Sequence, residues 1–430
     1  MDRSTGSLHI DRQSLRCAGV MVQKDRVLQH QRLDPDFQFW QPEQQQQEQF
    51  VSSAGSPQIN ISIRLVMGFS MQEIVEAYID CRKGKSSALE AQAFNEYLPR
   101  NLQSLHAELN DRSYTIGKTK CFVVTKPRPR EVWAACFRDR VVHHVLYNRV
   151  APRFHASFSA GSCACIPGRG TLYGANRLEK MVRRVTENWK IPGFYLKLDL
   201  SNFFVSIHKP TLFYLLTRKI TEDDSLWLTE KILFHNPVSN TIINSGPALF
   251  DLIPQHKSLF YADEDFGLPI GNLSSQFFAN VYLDALDKFC EHQVKPMGYV
   301  RYVDDFILLH HDRDFLVNAK ARIEAFLAEH LRAAINPKKT ILQPISRGVD
   351  FVGQVIKPWR RVSRGRLSIS AQSAAKHSEN KQATINSYLG LLRQTSSFIE
   401  RLRLCRTAQR LGFSVAGSME KVAPSIRSRQ

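Results

Sequence analysis

Two adjacent aspartates interrupt an apolar run in the stretch Tyr299-Val-Arg-Tyr-Val-Asp-Asp-Phe-Ile-Leu-Leu-His-His311. Each arm has the composition of a half-buried strand, so Asp304 and Asp305 fall at or beside the tip of a short hairpin. Ionised carboxylates between hydrophobic strands are costly unless something positive neutralises them. Arg301 is the only cation inside the run before the closing histidines. A divalent ion is therefore the economical partner, because carboxylate oxygens are the ligands Mg²⁺ prefers. An Asp-rich turn standing in solvent remains the plain alternative for the pair taken alone. A third acid, Asp199, ends the strand-like run Phe194 to Leu200. On its own it reads as a cap or turn residue. Beside the hairpin pair it completes a set of carboxylates for two divalent ions, which would lower the pKa of an attacking hydroxyl and stabilise an in-line phosphoryl displacement.

The chain must carry these acids within a basic whole. Its 430 residues bear a formal net charge of +18, and 43% of them are hydrophobic. That length allows two or three subdomains, and that charge points to a polyanionic partner, nucleic acid ahead of a membrane surface. From Gly353 onward the only acids are Glu379, Glu400 and Glu420, against clusters such as Lys357, Arg360, Arg361, Arg364 and Arg366. No uninterrupted apolar stretch reaches membrane-spanning length, and the start lacks the apolar core of a secretory signal, so a cytoplasmic protein without membrane association is expected. The eight cysteines form no Cys-x-x-Cys pair. Reduced structural thiols are expected, including Cys163 and Cys165.

Several elements are predicted around these residues. Ser70 and Glu73 have capping-box spacing before Ile74, Ala77, Tyr78 and Cys81, which share one helical face. One helix is expected through Ala91, Phe94, Tyr97, Leu98, Leu102 and Leu105, a strand over 114–124, and helices over 137–147 and 172–189. Gly168-Arg-Gly170 reads as a plain turn. Residues 236–266 read as a long irregular insertion, Gly271 opens a helix to Phe289, and another runs from Phe315 to Leu331. A single strand is expected over 351–356. The first 56 residues, with Glu43-Gln-Gln-Gln-Gln-Glu48, are too polar to offset their ordering entropy and are expected to lack fixed structure.

Five segments in this order resemble a reverse transcriptase: Lys126-Pro-Arg-Pro-Arg130, Leu198-Asp-Leu-Ser-Asn-Phe-Phe204, Gly267-Leu-Pro-Ile-Gly-Asn-Leu-Ser-Ser-Gln276, Tyr302-Val-Asp-Asp305 and Asn336-Pro-Lys-Lys-Thr340. The resemblance covers about 63–412. It implies an α+β right-hand polymerase: fingers over 57–195, palm over 196–235 and 267–356 with the 236–266 insertion between, a basic helical thumb over 357–412, and a tail over 413–430. It further implies RNA-directed DNA synthesis with Mg²⁺ or Mn²⁺ held by Asp199, Asp304 and Asp305, with the Leu200 carbonyl close to one ion. Lys126 and Arg130 resemble the residues that grip the incoming triphosphate, and Gly271 and Gln276 those beside the nucleotide. Phe204 matches the bulky residue that crowds the sugar 2′ position, with an ordinary core aromatic as the alternative. Lys339, or Lys338, matches the lysine proposed as general acid toward pyrophosphate, with a surface lysine as the alternative. Gly353 and its neighbours resemble the primer grip. The implied partners are an RNA template, primer and product DNA, and dNTPs.

The sequence departs from the common family pattern at Ile270-Gly271 and Ser275-Gln276, where most members have Gln-Gly and Ser-Pro. That departure is similar to the enzymes of diversity-generating retroelements and related bacterial lineages. It implies lowered fidelity, and a template-repeat RNA or a dedicated noncoding RNA, with a possible accessory protein. An anti-phage defence enzyme working with its own noncoding RNA is the alternative setting. No ribonuclease H, endonuclease or integrase segment is expected. Two competitors of other classes are an RNA-dependent RNA polymerase, disfavoured by Phe204 and Tyr302-Val-Asp-Asp305, and a non-enzymatic RNA-binding scaffold, disfavoured by the intact acids.

Overall fold

A computed structural model describes residues 68–84, 88–126 and 128–424. The polar stretch before residue 57, with Phe37, Phe39 and Trp40, lies outside them, as do the tail residues beyond 424. Helix α1 (Met71–Arg82) starts on the expected capping box: Ser70 Oγ accepts from the Glu73 amide at 3.2 Å, and the Ser70 amide donates to Glu73 Oε2 at 2.8 Å. The next helix divides into α2 (Leu89–Glu96) and α3 (Leu98–Asn110). Pro99 stands in the first turn of α3, where its missing N–H costs nothing, whereas inside one continuous helix it would break the ladder.

Strand β1 (Thr119–Val124) is shorter than the predicted 114–124 and pairs antiparallel with β2 (Arg130–Ala134). Tyr114 is instead buried, donating its hydroxyl to Asp139 at 2.7 Å. Helix α4 (Phe137–His155) and helix α5 (Thr171–Val185) follow. Strand β3 (Phe194–Asp199) leads into α6 (Phe203–Ser206), α7 (Lys209–Thr217) and α8 (Asp223–Leu233). The 236–266 segment holds short 3₁₀ turns, β4 (Thr241–Ile243) and α9 (Pro247–Phe250). It is less irregular than its composition suggests, because β4 adds to β1 in parallel and Glu131 Oε2 accepts from the Leu259 amide at 3.0 Å.

Helix α10 (Leu273–Phe289) precedes the hairpin of β5 (Gly298–Tyr302) and β6 (Asp305–His310). After α11 (Arg313–Leu331), strand β7 (Ile341–Pro344) completes an antiparallel sheet of order β5-β6-β3-β7. Helices or strands cover both of its faces, and the strand period of two sorts side chains between them. Leu196, Leu198, Phe306 and Leu308 join one core with α4, α10 and α11. Tyr195, Val300, Ile307 and Leu309 join another with Leu178, Val182 and Val185 of α5. Two covered faces explain why β6 is apolar at every interior position instead of alternating.

The predicted strand 351–356 is in fact two, β8 (Val349–Phe351) and β9 (Gln354–Lys357), joined through Val352 and Gly353, both at positive φ. Strand β10 (Arg360–Ser363) extends that sheet. Helices α12 (Gly365–His377), α13 (Lys381–Arg393) and α14 (Phe398–Arg410) then pack on a core of their own with the hairpin β11 (Phe413–Val415) and β12 (Val422–Pro424).

Candidate active site

The sheet brings the three acids together. Asp199, the last residue of β3, stands in register opposite Asp305, the first of β6. Directly opposed residues in an antiparallel pair lie about 5 Å apart at Cα and point to the same face. Asp304 sits in the turn between β5 and β6, and its carbonyl accepts from the Leu200 amide at 3.3 Å. The Asp199 carbonyl accepts from the Asn336 amide at 2.7 Å, which brings the Asn336-Pro-Lys-Lys segment to the same place. Lys339 Nζ meets both carboxylate oxygens of Asp199, at 2.6 and 2.7 Å.

Burial pushes the Asp304 carboxyl up to about 6, and the neighbouring Asp199 charge adds to the rise. Asp305 is also raised, by burial, while Lys197 opposes the shift from 2.9 Å. Lys197 belongs to β3 two residues before Asp199 and so shares its face; it also donates to the Asp350 carbonyl at 2.9 Å. One oxygen of Asp305, Oδ1, is buried and has no hydrogen-bond partner. Leaving a buried carboxylate oxygen unmatched is costly, and a hard cation is the kind of partner that removes the cost. The donor set thus fits a divalent ion. Among the described residues no group of three or more His, Cys, Asp and Glu side chains stands in a geometry that could hold a metal ion, and lysines are the counter-ions at Asp199 and Asp305.

Arg301, the lone cation of the hairpin sequence, does not serve the acidic pair. It lies on the opposite face of the sheet, 1% exposed, and forms an ion pair with Asp287 of α10 at 2.6 Å. Sequence reasoning missed Lys197, whose position two before Asp199 was a usable signal on a strand. It also missed Asp287, for which no periodicity gives a signal.

The remaining predicted residues surround this centre at different removes. Leu200 is buried and bridges to Ile335. Phe204 is half-buried with its ring 5.3 Å from that of Phe203, and its carbonyl accepts from the Leu268 amide at 2.8 Å. Gly271 has φ +124°, and a Cβ there would meet the Trp133 carbonyl and Val132 Cγ1 at 3.0 Å, so glycine is required. The adjacent Ile270 carbonyl accepts from the Trp133 amide at 2.7 Å, tying β2 to this segment. Gln276 is exposed in the first turn of α10. Lys126 and Arg130 are exposed on the β1–β2 ribbon, outside the contacts that join the three carboxylates. Lys338 is exposed, and its amide caps onto Asn336 Oδ1 at 3.1 Å. Among the described residues no helix is long and apolar enough to cross a membrane.

Comparison with known proteins places this site in context. Residues 125–356 match the family described as "Reverse transcriptase (RNA-dependent DNA polymerase)". A COX1/OXI3 intron 2 protein of Saccharomyces cerevisiae is 23% identical over 284 residues, which cover 52% of this chain and 30% of the yeast protein. The chain therefore matches less than a third of that relative's length. Apo telomerase from Candida tropicalis, truncated from its C-terminal domain, gives a TM-score of 0.42 at 13% identity, over 56% of this chain and 54% of its own. Telomerase from Candida albicans in complex with a TWJ fragment of telomeric RNA gives 0.45 at 10% identity, over 74% and 59%.

Proposed function

The chain belongs to the reverse transcriptase family, and from that premise we propose that it copies an RNA template into DNA by adding dNTPs to a primer. The observation that carries this reading is the register that sets Asp199 against Asp305, with Asp304 in the adjoining turn. In this proposal Asp199, Asp304 and Asp305 hold Mg²⁺ or Mn²⁺, with the Leu200 carbonyl close by. Bound there, the ions supply an activated primer hydroxyl and neutralise charge on the transferring phosphoryl group. The chain's own residues do the rest. Lys126 and Arg130 grip the triphosphate, as point charge and forked donor. Gly271 lets the backbone come close beside the nucleotide, with Gln276 near, and Phe204 crowds the sugar 2′ position. Lys339, which holds Asp199 in this structure, turns to protonate the departing pyrophosphate.

The setting we favour is a diversity-generating retroelement or a related bacterial system in the cytoplasm, with an anti-phage defence enzyme and its dedicated noncoding RNA as the second reading. Ile270 in place of a glutamine supports low fidelity, since no side-chain amide remains there to check the base pair; Ile270→Gln should lower the error rate several-fold by product sequencing, and unchanged errors would remove that part of the proposal.

Primer extension on an RNA template separates the readings. Extension with dNTPs and not rNTPs, lost in Asp304→Asn, is the expected result. Extension with rNTPs points to an RNA polymerase, and none at all to a scaffold. Sequencing the RNA and DNA that co-purify from the host distinguishes the settings: a near-repeat with adenine-specific changes marks diversification, and a structured noncoding RNA with repetitive product marks defence.

A further inference from the structure

After Trp133, Arg301 is the largest fully buried side chain among the described residues. All five of its N–H donors are used. Nε and Nη2 reach the two oxygens of Asp287, each at 2.6 Å. Nη2 also reaches Ser162 Oγ at 2.9 Å, and Nη1 reaches Asn280 Oδ1 at 3.2 Å and the Val303 carbonyl at 3.0 Å. Asp287 takes a further bond from the Tyr299 hydroxyl at 2.6 Å. The Arg301 backbone is held as well, by Gly161 and Cys163 at 2.9 Å.

The Val303 carbonyl is the revealing partner. Val303 has φ +58°, a left-handed conformation that a β-branched residue resists. It immediately precedes Asp304. Because the peptide unit is planar, fixing that carbonyl fixes the Val303–Asp304 plane and with it the direction in which the Asp304 side chain leaves the backbone.

We propose that Arg301, anchored by Asp287, is a positioning residue that clamps the Val303–Asp304 peptide in its left-handed turn and so aims Asp304 at the divalent ions from the opposite face of the hairpin. This rests on the reading of Asp199, Asp304 and Asp305 as the metal-holding set. A buried ion pair kept for packing alone can be exchanged for apolar residues of similar volume without loss. A clamp cannot, because no apolar side chain donates to the Val303 carbonyl.

The test is Mn²⁺ binding to the full chain, followed by electron paramagnetic resonance without nucleotide turnover, alongside thermal melting. The double variant Arg301→Met with Asp287→Leu leaves neither charge unpaired. It should melt close to wild type while its Mn²⁺ affinity falls about tenfold or more, the usual effect of removing an outer partner of a metal ligand. Adding Val303→Gly, which accepts a left-handed φ freely, should recover part of the loss. If the double variant does not fold, Arg301→Lys serves instead: it keeps the charge beside Asp287 but has no fork to reach Val303 as well, and the same loss is expected. Wild-type Mn²⁺ affinity in a folded variant overturns the clamp alone. A wild-type chain that binds no Mn²⁺ through Asp304 overturns the metal-site reading and the clamp with it.

Discussion

The two faces of the β5–β6 hairpin treat buried carboxylates in opposite ways. On one, Asp287 receives two bonds from Arg301 and one from Tyr299, and every donor of the guanidinium is matched. On the other, Asp304 is pushed up to about 6 and Asp305 keeps a buried oxygen without a partner. The same chemical group is thus closed off on one face of the hairpin and left open on the other. A closed ion pair fixes geometry and offers nothing to a ligand. An open pair stores an electrostatic cost that a cation can relieve, and this is what distinguishes a site from a brace.

Substitution on the open face should give the largest effect. Asp304→Asn is expected to lower primer extension on the order of a thousandfold while leaving stability unchanged or raised; urea denaturation read beside activity checks this, and a fall in both would erase the contrast. On the closed face the effect moves to stability. Asp287→Ala strands the buried Arg301 charge and should cost about 3–5 kcal/mol in urea denaturation; a variant as stable as wild type would show the brace to be idle.

Titration sharpens the comparison further. The folded chain holds the Asp304 proton more tightly than the unfolded chain, since the carboxyl lies above its ordinary value. Its contribution to metal-free stability is therefore complete below about pH 4 and lost as pH rises through about 6, roughly 3 kcal/mol in all. Asp305, also raised, works in the same direction. Melting in the absence of divalent ions should show the decline, and Mn²⁺ at pH 7 should reverse it in wild type but not in Asp304→Asn.

Asp284 supplies the smallest effect and the control. Burial raises its pKa as well and one oxygen is unmatched, but Lys288 pairs with it at 2.5 Å and it lies in α10, away from Asp199. Asp284→Asn should change stability by less than about 1 kcal/mol and leave extension intact. Lost activity there would mean that a raised carboxyl alone, without opposed strand neighbours, is enough to mark the reaction centre.

Much of this was legible in residue order. The acidic pair between apolar arms predicted the hairpin, the capping box predicted the start of α1, and the run before Asp199 predicted β3, because strand and cap signals are local. Where prediction slipped, a local helix breaker had been passed over or a distant neighbour had overruled a local preference. Pro99 split a helix, Tyr114 left its strand for Asp139, and β4 rose out of a loop-like stretch because β1 offered it a free edge.

Taken alone, the sequence determined which elements hold the acidic and basic side chains, for that is a matter of composition and period. Only the tertiary structure decided their charge balance. Arg301 sits three residues from Asp304 in the chain yet serves Asp287, while Lys339, 140 residues from Asp199, is its direct counter-ion. Alternation along a strand sends neighbours to opposite faces, and strand pairing brings remote segments to the same one.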